Sequence, residues 1–184
     1  MLSHIRPAVT LVLAFSAILG LAYPLAMTVL VQRLMPAQAN GLLVERDGRI
    51  LGSLLIGQAF TEARYLQGRP SATDPAYNAG SSTGSNLGPS SAVLLEQVRE
   101  RAAAWGEAPI PAEMATASAS GLDPHVSLGA ALAQVPRIAS ARGQDPATVE
   151  AAIRAAASGP AFGFVGGRIV NVLAANLALD AGPR

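Results

Sequence analysis

Three residue types able to do acyl-transfer chemistry occur in order along the chain. Ser82 lies inside "GSSTG" (80–84), and Asp123 and His125 lie inside "SGLDPHVS" (120–127). G-x-S-x-G is the spelling of a nucleophile elbow, and serine, acid, histidine is the chain order of α/β-hydrolases. The elbow works because a strand enters it and a helix leaves it at once, lifting the hydroxyl into reach. Here "TDPAYNA" precedes and "SNLGPSS" follows, with the next helix signal delayed to about residue 91. Asp123 is also too near His125 in sequence to be its natural triad partner, since that acid usually arrives on a different loop. No catalytic residue is therefore expected, and a membrane-anchored serine hydrolase using Ser82 and His125 stands as the alternative.

The same stretch, "YNAGSSTGSNLGPSS" (77–91), admits two further readings. Successive backbone N–H groups in a Gly/Ser/Asn run can fold around a phosphate, more readily where the run leads into a helix N-terminus. Gly84, Ser85 and Asn86 would then touch a phosphate, that of ATP included, or a partner protein. In the plainer reading Gly80, Gly84 and Gly88 permit turns, while Ser85 and Asn86 satisfy buried loop backbone through their side chains. All 13 basic residues are arginine. The absence of lysine excludes a Walker-type P-loop and a Schiff-base lysine. With no cysteine, and His4 and His125 separated by a long apolar segment, no metal site is expected. His125 is read as a structurally hydrogen-bonded residue in an Asp-Pro turn.

The elements that must position these residues begin with that apolar segment. Residues 7–32 carry no charged side chain between Arg6 and Arg33. As a helix the run would measure about 39 Å, enough to cross a hydrocarbon core of about 30 Å. It is read as a transmembrane helix, with a kink near Gly20 caused by Pro24. "AQA" at 37–39 resembles a signal-peptide cleavage site, which would release a secreted binding protein after Ala39. The apolar run is nearly twice the length such peptides use. Arginines flank the span almost evenly, so charge alone leaves its orientation open. The expected organisation is a short N-terminus (1–6), a transmembrane helix (7–32), a linker (33–41) and a mixed α/β domain (42–184).

The chain is 51% hydrophobic and 14% charged, too apolar for disorder. Beyond residue 33 its 11 arginines face 12 acids, so nothing there courts nucleic acid. Asp47-Gly48 predicts a tight hairpin between strands at 42–46 and 49–58. A long polar loop, 61–91, ends at Ser90 or Ser91. There a helix starts with Leu94, Leu95, Val98, Ala102 and Trp105 on one face. Residues 106–120 read as loop. A second helix follows Ser127, showing Leu128, Ala131, Leu132, Val135, Ile138 and Ala139 inward, bending at Pro136 and stopping at Gly143. Asp145-Pro146 opens a third, with Val149, Ile153 and Ala156 inward and Glu150 paired with Arg154. "RIVNVLAANLALD" passes from strand to helix. The fold class is α/β (mixed α+β) behind a single N-terminal transmembrane helix.

Read together, "LIGQAF", "YLQGRPSATDPAYNAGSSTGSNLGPSS", "SGLDPHVS", "RIASARG" and "VNVLAANLALD", following one N-terminal span, are similar to a known pattern. The chain resembles the C subunits of Kdp potassium-transporting ATPases over essentially its full length. It departs from that pattern where "FVGGRIVNVL" replaces the usual Gly-Glu-Pro lead into the last strand, and where "ARYLQGRPS" has leucine in place of phenylalanine. The resemblance implies a non-catalytic subunit of a bacterial inner-membrane potassium importer, with a cytoplasmic N-terminus and a periplasmic domain. The implied partners are a channel-like subunit, a P-type ATPase subunit, a small stabilising subunit and the lipid bilayer. It further implies a catalytic chaperone that raises the ATP affinity of the pump subunit. A domain across the bilayer from bound ATP can do so only through a coupling free energy between sites. Gly20, Ala22 and Ala26 would pack the anchor against other spans, and the Gly/Ser/Asn loop would dock on the channel-like subunit.

Overall fold

The uncharged apolar run and the arginines that bound it fold as one long helix, α1 (Ile5–Leu34), 30 residues and long and apolar enough to cross a membrane. The computed structural model describes residues 2–105 and 109–182, and from Ser3 to Leu30 every residue is exposed. Pro24 has no N–H for the carbonyl four residues back. The irregularity expected near Gly20 takes the form of a π turn over Ile18–Ala22, closed by Tyr23 N–H on the Ile18 carbonyl. A single helical turn, α2 (Pro36–Ala39), follows. The chain then divides into two compact units, up to Leu43 and from Val44 onward.

The hairpin forms where Asp47-Gly48 predicts it, between β1 (Leu43–Arg46) and β2 (Arg49–Ser53). Asp47 and Gly48 both take positive φ, 54° and 72°, the requirement of a two-residue type I′ turn. β2 stops at Ser53 and does not reach 58. Gln58 folds back to donate to the Leu51 carbonyl at 3.1 Å, its amide lying where a side chain at Gly52 would begin. From Gly57 to Ser91 there is neither helix nor strand.

Ser91 caps α3 (Ala92–Ala103), its hydroxyl accepting from Leu94 N–H at 3.3 Å. Leu94, Val98 and Trp105 are half-buried, but Leu95 departs from the predicted inner face and is 49% exposed. The loop read over 106–120 contains one turn of helix, α4 (Ala112–Ala115), which buries Met114; residues 106–108 of it lie outside the described residues.

A three-stranded antiparallel sheet has β5 (Ile169–Asn171) at its centre, flanked by β3 (His125–Ser127) and β4 (Ala157–Ser158). Val170 sits opposite both Val126 and Ala157. The helix expected after Ser127 is two helices, α5 (Leu128–Ala133) and α6 (Val135–Arg142). The chain breaks at Gln134, so that Pro136 falls in the first turn of α6, where its missing N–H has no helical partner to lose. Then come α7 (Pro146–Ala155) and α8 (Val172–Ala181). Ser127, Asp145 and Asn171 each cap a helix through a side-chain oxygen, and Gly143 ends α6 at φ 64°. The core between helices and sheet is aliphatic: Val126, Ile138, Val149, Ile153 and Val170 are among its fully buried members, with Ala130 and Ala131, and Leu66 joins them from the loop.

Candidate docking surface on the 57–91 loop

A segment this long without regular structure must find partners for its backbone N–H and C=O groups among side chains. Two buried amides do this at its start. Asn176 on α8 accepts from Leu66 N–H at 2.7 Å and donates to the Leu66 carbonyl at 2.9 Å. Gln134, at the break between α5 and α6, accepts from Gln67 N–H at 2.9 Å and donates to the Gln67 carbonyl at 3.0 Å. Each amide thus imitates a neighbouring strand for one residue. Arg137 adds a 2.6 Å bond to Gln134 Oε1, and burial pulls its guanidinium below the ordinary arginine value.

Further along, hydroxyls take over. Ser71 Oγ accepts from the N–H groups of Thr73 (3.2 Å) and Tyr77 (3.0 Å) and donates to the Gly121 carbonyl at 2.7 Å. Thr73 Oγ1 accepts from Asn78 N–H and donates to the Pro75 carbonyl, both at 2.9 Å. The Tyr77 phenol donates to the Arg69 carbonyl. Its ring lies in a notch between two glycines: an added Cβ would come within 2.6 Å of the ring at Gly57 and of the phenol oxygen at Gly68. Burial, reinforced by the Asp123 carboxylate and opposed by Arg69, pushes the Tyr77 phenol up to about 12. Beside it opens a cleft of about 290 Å³ lined by Phe60, Arg69, Tyr77, Arg101 and Trp105 among others.

The loop is laced to residues 117–123. Ser118 N–H donates to the Pro70 carbonyl, Gly57 N–H to Leu122, and Thr83 N–H to Ser120. Ser82 Oγ also donates to the Ser120 carbonyl, at 2.9 Å. Asp123 pairs with Arg69 at 3.2 Å and accepts from the backbone N–H of His125, not from its ring. The ring of His125 approaches Asn171 Nδ2 at 3.4 Å, the structural role expected of it, although it stands on β3 and not in a turn. The serine, acid and histidine links that a hydrolase needs are not made. Among the described residues no group of three His, Cys, Asp or Glu could hold a metal ion.

Gly84 is half-buried, and a Cβ there would lie 2.8 Å from the Ala119 carbonyl. Ser85 and Asn86 are exposed, Asn86 at φ 52°. The loop backbone is served instead by the side chains of Ser71, Thr73 and Asn78. The signal for these was in "RPSATDPAY", where hydroxyls two positions apart between prolines are suited to side-chain-closed turns. Nothing local signalled Gln134 or Asn176.

Comparison with known proteins bears on residues 5–181, which match the model of the KdpC family, "K+-transporting ATPase, c chain". The chain is 53% identical to the potassium-transporting ATPase KdpC subunit of Methylorubrum populi, with 98% of each chain covered. It is 48% identical to that of Methylococcus capsulatus, covering 98% of this chain and 99% of that one. Against that of Cereibacter sphaeroides the identity is 50%, with 98% of each covered. With the motifs, the caps and the laced loop all lying inside the matched span, the chain belongs to the KdpC family of potassium-transporting ATPase subunits.

Proposed function

We propose that this chain is the non-catalytic subunit that assembles and tunes an ATP-driven potassium importer. Its anchor, α1, stays in the bacterial inner membrane with the N-terminus cytoplasmic, and its folded domain works in the periplasm. Its partners there are the channel-like subunit, the P-type ATPase subunit and the small stabilising subunit. The outer rim of the loop, at Gly84, Ser85 and Asn86, is the surface offered to a partner.

One observation carries this reading: key polar side chains of the loop are engaged with main-chain groups, of the loop itself and of Ser120 and Gly121 beside it. Ser71, Thr73, Tyr77 and Ser82 all bond main-chain groups, so the hydroxyls that could do chemistry are used in holding shape. A loop held in this way presents a pre-formed outer surface, which lowers the ordering cost of association. The chain raises the ATP affinity of the pump subunit without touching nucleotide. It binds one conformational state of the membrane subunits better than another, and that preference is transmitted as a coupling free energy.

The test is to purify the tagged chain from membranes, identify the co-isolated subunits, and measure the KM for ATP of the complex with and without it. A fall in KM of roughly 5-fold or more on adding the chain is expected, matching typical coupling energies. An unchanged KM would remove the chaperone role, and isolation of the chain alone would remove the assembly role.

A further inference from the structure

Phenylalanine is scarce in this chain, with four in all. None of the largest fully buried side chains is aromatic. Yet Phe162 and Phe164 stand 91% and 81% exposed, and Val165 beside them 52%. They form the tip of the connection between β4 and β5, "SGPAFGFVGGR". The tip is an ordered turn: Ala161 and Val165 exchange both backbone hydrogen bonds at 2.9 Å, and Gly163 N–H donates to the Pro160 carbonyl at 3.1 Å. Phe162 sits at φ 53°, a region disfavoured for a bulky residue and natural for glycine. No charged residue occurs from Ala155 to Gly167. An aromatic held in an unfavourable backbone conformation, while leaving most of its surface in solvent, gives its own domain little in return.

We propose that this finger is an apolar plug that seats its two phenylalanines in a hydrophobic pocket of a different polypeptide of the potassium-transporting complex. The inference rests on the accessory-subunit reading above. Area decides against a second copy of this chain as the occupant. Two phenylalanines offer roughly 300–500 Å², about half of the ~800 Å² per partner that a free-standing association requires. The same area is ample for a partner already held close by other contacts, where effective concentration replaces interface size. Chemistry decides against the bilayer. Elements that bind at the lipid surface set their apolar residues beside interfacial Trp or Tyr and clustered Lys or Arg; the finger has no Trp, Tyr or Lys, and Arg168 at its base is its one cation. Aromatic residues in the desolvated centre of an interface are the form that protein pockets take up.

The experiment uses the full chain expressed with its complex. The photoreactive analogue p-benzoylphenylalanine is introduced in place of Phe164, and separately in place of Phe162, and membranes are irradiated. The expected adduct has the mass of this chain plus one other subunit. In parallel, the F162S/F164S double variant should keep the far-UV circular dichroism and thermal midpoint of the native chain, while its recovery with the complex falls at least 10-fold. F164A alone, which leaves the strained position untouched, should show the same loss in weaker form. Adducts only with phospholipid, only with a second copy of this chain, or none at all while the native chain is still recovered in the complex, overturn the plug. So does undiminished recovery of the double variant. If the native chain itself is recovered with no other subunit, the accessory-subunit reading fails first and the plug with it.

Discussion

Two regions of the folded domain are held by different forces. From His125 to Ala181, strands and helices pair their own backbone and bury an aliphatic face; Val126, Ile138, Val149, Ile153 and Val170 meet in one core. From Gly57 to Ser91 the backbone closes only isolated turns on itself and is carried by the side chains of Ser71, Thr73, Asn78, Gln134 and Asn176, with a few main-chain bonds to residues 118–122. The first region is ordered by area removed from water, the second by polar groups placed where their loss would strand a buried donor or acceptor. A loop of the second kind can be as rigid as a core while its outer residues stay free to meet a partner.

That equivalence can be broken by two substitutions of matched burial. Ile153→Ala removes a fully buried side chain and should destabilise the domain by about 2–5 kcal/mol, read as a lowered thermal midpoint of the full chain in detergent. Asn176→Ala removes no apolar contact of comparable size, yet it leaves both the N–H and the C=O of the buried Leu66 without partners. About 2–4 kcal/mol is expected, close to the core substitution. A loss under about 1 kcal/mol would show that the loop is not held by its amides.

The sequence announces local structure and is silent on long-range polar pairing. Asp47-Gly48, Ser91, Ser127 and Asp145-Pro146 are legible because turn and cap chemistry acts over two or three residues. Pro136 is legible as a disturbance but not as a break, since Ala131, Val135, Ile138 and Ala139 keep helical spacing across Gln134. The three-residue strand at His125 is too short to show alternation. Composition marks 61–91 as a loop, but whether Ser71 or Ser85 supports its backbone depends on Gly121, distant in sequence and beyond any window of pattern. Gln134 and Asn176 look like ordinary polar interruptions of apolar helices. Only the fold sets their amides beside Gln67 and Leu66.

A smaller effect sharpens the comparison through pH. The Tyr77 phenol is raised from its ordinary value near 10 to about 12, so the folded state favours the protonated form. The stability this contributes is fully present below about pH 10 and is lost as pH rises through about 12. Tyr77→Phe deletes the bond to the Arg69 carbonyl at a cost of about 1 kcal/mol near neutral pH. It should also flatten the decline in melting temperature between about pH 10 and 12. A native-like decline in the variant would assign the alkaline transition to other groups.

The smallest effect is expected where the sequence most invites chemistry. Ser82 is exposed, and its hydroxyl makes one bond, to the Ser120 carbonyl, which Thr83 N–H also serves. Ser82→Ala should therefore shift stability by no more than about 0.5 kcal/mol. It should also leave potassium-stimulated ATP hydrolysis by the assembled complex within about 2-fold of the native rate. A catalytic serine would behave otherwise, because its removal abolishes transition-state stabilisation that no neighbouring group replaces, lowering kcat by orders of magnitude. Comparing Ser82→Ala with Ser71→Ala in the same assay separates the two kinds of hydroxyl in this loop. Ser71 supports two N–H groups and donates to Gly121, so its removal should cost about 1–3 kcal/mol and loosen the surface that the complex recognises.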